Sequence, residues 1–219
     1  AASWFIMILL AVCAMFLSSD QLPESSTIVE TLSPWFESHG ISDLKPFDAW
    51  LNTMRPRTVR SGEQLVLQGQ SDNHLFFVDR GLLRLYYNTP DGKERNKAFY
   101  AEGSMLGAVS AAIRQRPASF AIQALEQCQL VEAEFPVLFA TAHQNPATAR
   151  ILIDLLAEAF IRNESREAML LTLSAEDRYR WLLEHEPMLV NRVPQFHLAS
   201  YIGIDAVSLS RLKRRLKLD

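Results

Sequence analysis

Apolar and polar positions divide the chain into three textures. From Thr58 to Ser110 short runs rich in Val, Leu, Phe and Tyr alternate with Gly62, Gly69, Gly81, Gly92, Gly103 and Gly107. "HLFFVDRG" and "LLRLYYNT" have strand composition, and "TPDGKE" predicts a hairpin with Asp91-Gly92 at its tip. Turn signals at this spacing, continued by strands in "FAIQALEQCQLVEAEF", predict a β-sandwich or β-roll. Before it, about Asp20 to Thr53 reads as short helices, with Ser33 as a cap, Pro34 at a first helical position and Gly40 as a stop. After it the period changes. Asn145-Pro146 starts a long helix in which Ile151, Leu152, Leu155, Leu156, Ala159 and Phe160 recur at helical spacing up to about Thr172. Its broad apolar stripe can pack against a second copy of itself or back on its own roll. Ser174, with Asp177 three residues on, caps a further helix that Pro187 ends.

The last segment, "QFHLASYIGIDAVSLSRLKRRL" from Gln195 to Leu216, fits a helix–turn–helix. Leu198, Ile202, Ile204, Leu209 and Leu212 occupy the buried positions of two crossed helices. Ala199 is small where the helices meet, Gly203 supplies the positive φ of the turn, and Asp205 caps the second helix. An ordinary helical hairpin would also want Leu at these spacings, but not the alanine and the glycine together. The second helix turns Ala206, Val207, Ser210, Arg211 and Arg214 outward and flanks them with Ser208 and Lys213. Such a helix fits the major groove of double-stranded DNA. Arg211 suits a bidentate guanine contact, and Ser210 a base or a phosphate. Lys213, Arg214, Arg215 and Lys217 suit the phosphate backbone. Gln195, which opens the motif, completes the set with Val207 and Ser208.

Charge sharpens this reading. The chain of 219 residues carries a net charge of −3, yet from Arg192 onward six basic residues face only Asp205 and Asp219. Basic charge gathered at one end of an acidic protein points to a polyanion. Apolar residues at 48% and charged residues at 21% suit a globular protein. Two cysteines, Cys13 and Cys128, exclude a disulfide framework and a four-thiolate zinc or iron–sulfur site, and make a reducing cytoplasm the default. Trp4 to Leu17 is an unbroken apolar run of 14 residues. It is short beside the roughly 17–25 residues of a spanning helix and lacks the basic start of a secretory signal. Three readings stay open: a helix packed on the protein or its partner subunit, a membrane-associated segment, or a consequence of where the sequence begins.

A β-roll, a long helix and a C-terminal helix–turn–helix together resemble the Crp/Fnr family of bacterial transcription regulators. "RVPQFHLASYIGIDAVSLSRLKRRL" is similar to the family's DNA-binding signature, and "RSGEQLVLQGQ" to the opening of its cyclic-nucleotide-type roll. The resemblance implies an α+β fold: a cyclic-nucleotide-binding-like β-roll (jelly roll), a long dimerisation helix and a helix–turn–helix domain, here without a following wing. The expected divisions are 1–19 for the apolar segment, 20–144 for the roll, 145–172 for the long helix and 173–219 for the DNA-binding domain. It also implies a cytoplasmic homodimer on a near-palindromic operator, RNA polymerase as a partner, and an unidentified small-molecule effector.

The effector cassette departs from the family's. Members that bind cyclic AMP carry Gly-Glu for the ribose and, ten residues on, Arg-Ser for the phosphate. Here Gly107 and Ser119 are kept, but Ala108 and Ala118 stand at the charged positions. Losing a charge-assisted phosphate contact costs about 2–5 kcal/mol, so no tight cyclic-nucleotide binding is expected, although Arg114 or Arg116 lies nearby. No metal or other cofactor is implied; none of the five histidines favours haem, and His197 suits a structural or phosphate-contacting role. On the recognition helix Val207 stands where many members have Glu, which predicts a different operator. Two other functions compete: a sensor or interaction module that no longer binds DNA, and a cupin-like enzyme. The second would need clustered histidines, and the roll has only His74.

Overall fold

The computed structural model describes residues 22–216. Its first helix, α1 (Leu22–Ser38), runs unbroken through Pro34, where the sequence predicts short helices starting at Ser33. Proline inside a helix costs about 3 kcal/mol. Here Ile28, Leu32, Trp35 and Phe36 share one face and are all buried, each contributing about 1.5–3 kcal/mol. The stripe therefore outweighs the proline, and the Ser33 hydroxyl donates instead to the Val29 carbonyl at 2.7 Å. Gly40 does end the helix, at φ +70°, with its N–H on the Glu37 carbonyl. A 3-10 turn (Lys45–Phe47) and α2 (Asp48–Leu51) lead into the sheets.

Eight strands follow: β1 (Arg55–Val59), β2 (Gln64–Val66), β3 (His74–Arg80), β4 (Leu83–Asn88), β5 (Glu94–Tyr100), β6 (Met105–Gly107), β7 (Ala121–Ala124) and β8 (Cys128–Glu134). They form two antiparallel four-stranded sheets, ordered β1-β8-β3-β6 and β2-β7-β4-β5. A short helix α3 (Val109–Arg114) separates β6 from β7. The β4–β5 hairpin turns at the expected place, with Gly92 at φ +77° and the Gly92 N–H on the Thr89 carbonyl. Period-2 alternation sends Phe76 and Val78 of β3 into the cluster between the sheets, with Leu85, Ile122 and Leu130. Leu75 and Phe77 point the other way, onto α1, α2, α4 (Phe135–Ala142) and the start of α5 (Pro146–Thr172).

Helix α5 is 27 residues long, about 40 Å, and Asn145 caps it by accepting from the Ala147 N–H at 2.8 Å. Its first turns bury Ile151 and Leu152 on its own roll. Farther along, Ile153, Leu156, Phe160, Ile161 and Leu171 are left exposed, Phe160 by 66% and Leu171 by 77%. The start of the stripe thus packs on the roll, where Leu155 is also half-buried, and Met169 is buried near the far end. Four helices complete the chain: α6 (Ala175–His185), α7 (Pro187–Arg192), α8 (Gln195–Tyr201) and α9 (Ala206–Leu216). Ser174 caps α6 as expected, accepting from the Asp177 N–H and donating to its carboxylate at 2.6 Å. Among the described residues no helix is long and apolar enough to cross a membrane. Trp4 to Leu17, Cys13 and Lys217 lie outside the described residues, and so does any stretch in which a wing would follow.

Candidate nucleic-acid interface

Helices α8 and α9 form the turn that the sequence predicts. Ala199 is fully buried at their approach, and the Ile204 N–H closes the turn on the Ala199 carbonyl at 2.9 Å. Gly203 has φ +74°, and a Cβ there would press on Leu170 and Arg178. Asp205 caps α9 from both oxygens, accepting from the Ser208 N–H at 2.7 Å and the Ser208 hydroxyl at 2.8 Å. The N–H of Ser208 holds the Asp205 carboxyl below its ordinary range. The Ser208 side chain is therefore engaged in the cap. Leu209 and Leu212 bury inward, while Ile204 is only half-buried. Ala206, Val207, Ser210, Arg211 and Arg214 all face solvent, and Gln195 is exposed at the start of α8.

The basic residues of this end divide by what they touch. Arg215 is exposed but donates to Glu176 of α6 at 2.6 Å, and Arg180 meets the same carboxylate at 2.9 Å. These partners, Arg180 foremost, hold Glu176 below its ordinary range. Arg192, which adds to the C-terminal positive charge, is committed to the roll. It forks onto Glu102 at 2.8 and 2.9 Å and reaches Glu126 at 2.6 Å. The fork drives the Glu102 carboxyl down to about 2. Arg211, Lys213 and Arg214 have no ion pair among the described residues.

A buried polar network fastens α8 to the roll. Arg84 of β4 donates from Nη1 to Asn96 Oδ1 and to His197 Nδ1, both at 3.2 Å, and pairs with Glu94 at 2.7 Å. Asn96 of β5 donates from Nδ2 to the same His197 nitrogen at 3.1 Å and to the His197 carbonyl at 3.0 Å. Two donors aimed at Nδ1 require an unprotonated nitrogen, so the ring is neutral with its proton on Nε2. Burial first, and then the Arg84 charge, lower the His197 pKa to about 4. Of its two expected roles the structural one holds. Around the network Leu82 and Phe99 of the roll share one cluster with Leu198, Tyr201, Ile202, Leu209 and Leu212. Arg178 of α6 adds a further tie, donating to the carbonyls of Leu173, Leu170 and Ile202 at 3.0, 2.9 and 3.2 Å. Sequence reasoning missed Arg84, Asn96 and Arg178. Only Arg84, a charge inside "LLRLYYNT", carried a visible signal.

The cassette residues lie on the roll, Ala108 and Ala118 in one buried cluster. Gly107 has no room for a side chain, because a Cβ would run into the His74 carbonyl across β3. Ala108 and Ala118 are buried, Ser119 is exposed, and the Ala118 N–H bonds the Gln70 carbonyl at 2.8 Å. Arg114 and Arg116 are exposed at the end of α3 and just beyond it.

The family model of the cyclic nucleotide-binding domain matches residues 56–150. Over 174 residues the chain is 25% identical to the anaerobic regulatory protein of Haemophilus influenzae, covering 74% of this chain and 67% of that one. The chain is similar to proteins of the Crp/Fnr type. The relatives are regulators rather than enzymes, which speaks against the cupin-like reading. FixK2 of Bradyrhizobium japonicum shares the fold at TM-score 0.65 and 19% identity, over 75% of this chain and 84% of that one. The c-di-GMP-responsive global regulator CLP of Xanthomonas campestris does so at TM-score 0.62 and 20% identity, over 80% and 92%. Both likenesses concern the fold and cover a larger share of this chain than the family model does.

Proposed function

We propose that the chain is a DNA-binding transcription regulator that acts in the cytoplasm as a homodimer on a near-palindromic operator. The observation that carries this reading is the outward face of α9. Val207, Ser210, Arg211 and Arg214 lie free on a helix whose other face, Leu209 and Leu212, is anchored. A helix held so can enter a major groove with its first turns toward base edges. Arg211 reads guanine, Val207 offers a methyl-sized contact for thymine, and Lys213 and Arg214 meet phosphates, with Gln195 beside the backbone. The second copy docks along α5, where Phe160, Ile161 and Leu171 remain exposed. RNA polymerase is the expected partner at the promoter. Cyclic AMP is not the effector, since buried Ala108 and Ala118 offer it neither a carboxylate nor a guanidinium.

A selection of bound sequences from a random duplex pool, followed by fluorescence anisotropy with salt titration, tests the reading. Arg211→Ala relaxes the preference at one position of each half-site and costs about 1–3 kcal/mol on the selected site. Wild-type protein that enriches no sequence, or Arg211→Ala that leaves affinity unchanged, would instead support a sensor that no longer binds DNA.

A further inference from the structure

The first turn of α9 meets solvent with apolar side chains. Val207 is 59% exposed, and Ala206 is exposed beside it. Phe196 of α8, exposed to the same 59%, lines one crevice with Ile204 and Ala206. The other strongly exposed apolar side chains, Ile153, Phe160, Ile161 and Leu171, lie on α5, where a second copy can cover them. Val207 and Phe196 lie outside that stripe. The polar groups of the same turn are already engaged. Asp205 accepts the Ser208 N–H at 2.7 Å with one carboxylate oxygen and the Ser208 hydroxyl at 2.8 Å with the other. The hydroxyl thereby gives up its only proton. From Asp205 to Ser208, all described residues, no side-chain donor is left to bond a base, and Ala206 and Val207 face outward. Hydrogen-bonding side chains return only at Ser210 and Arg211, with the charges of Lys213 and Arg214 beyond them.

We infer that Val207 recognises the 5-methyl group of a pyrimidine, whichever base carries it, so that 5-methylcytosine can stand for thymine in the half-site. This rests on the DNA-binding reading of α9. In the major groove the methyl is the feature of thymine that an apolar side chain can distinguish. A 5-methylcytosine sets the same group at the same edge of its pair. A first turn whose polar side chains close its own cap has nothing with which to tell the two bases apart. Uracil and unmodified cytosine both lack the methyl and leave Val207 against water or bare ring edge. The chain therefore accepts methylated cytosine at that position and discriminates against the unmethylated base, which makes the contact responsive to cytosine methylation. Arg211, a turn farther along, reads its own base by hydrogen bonds and is indifferent to the methyl.

Fluorescence anisotropy of the full chain on its selected duplex tests this, with each half-site thymine replaced in turn by deoxyuridine. Removing the one methyl that Val207 covers should weaken binding about fourfold, and removing its symmetry mate as well about fifteenfold. At that position a cytosine–guanine pair should bind no better than the uracil duplex, and a 5-methylcytosine–guanine pair should recover most of the loss. Val207→Ala, a change at an exposed position, should bind thymine and uracil duplexes alike. A selected half-site without thymine, or indifference to deoxyuridine at every thymine, overturns the inference. So does 5-methylcytosine that binds no better than cytosine, or a Val207→Ala chain that still separates thymine from uracil. In each of these cases a loss of affinity in Arg211→Ala leaves the DNA-binding reading standing, whereas a chain that selects no sequence overturns both.

Discussion

Asn96 of the roll and His197 of the helix–turn–helix are joined twice, side chain to ring and side chain to backbone, across 101 residues of sequence. One amide thereby sets the ring's tautomer and the seat of α8.

Asn96→Ala removes both bonds and strips Arg84 of an acceptor inside the buried network. Leaving buried donors unmet costs about 1–3 kcal/mol each. Chemical denaturation should show a loss of about that size or more, with the slope unchanged.

The neutral ring makes stability depend on pH in a defined window. His197 falls from its ordinary 6.5 to about 4 in the folded protein. Between those values the unfolded chain takes up a proton that the folded chain refuses, so stability drops as pH falls from about 6.5 toward 4 and does not change from this source above. Glu102, lowered from 4.5 to about 2, acts in a separate, more acidic window with the same sign. Melting temperatures from pH 8 to pH 4.5 should show the first slope, and His197→Gln should flatten it.

Glu176→Ala releases Arg215 from its 2.6 Å pairing. With one more mobile cation on α9, affinity for duplex DNA should rise at low salt. The slope of log K against log salt should steepen by about 0.9, one phosphate's worth. Anisotropy across a salt series reads both effects.

Phe160→Glu places a charge on the exposed stripe of α5. Sedimentation should show a shift from dimer to monomer, with binding to a two-half-site duplex weakened more than binding to a single half-site.

Local signals were legible in the sequence because they are written in neighbouring residues. Asn145-Pro146 marks the start of α5, Asp91-Gly92 the hairpin, and Ala199 with Gly203 the turn between α8 and α9. Pro34 misled because the cost of a proline is local, whereas the burial that overrides it depends on Phe77 and Trp50, which come later in the chain. The candidate DNA-facing residues could be read from one helix's periodicity. The partners that occupy Arg215 and Arg192 could not, since Glu176, Glu102 and Glu126 meet them only after folding.

The cluster shared by Leu82, Phe99, Leu198 and Leu209 has a practical corollary. A fragment cut at Leu173 would carry α8 and α9 away from the sheet that forms part of their floor, baring Tyr201 and Leu198 to water. The α8–α9 pair is thus not a detachable module but one side of a common interior, and it should melt together with the roll in a single transition.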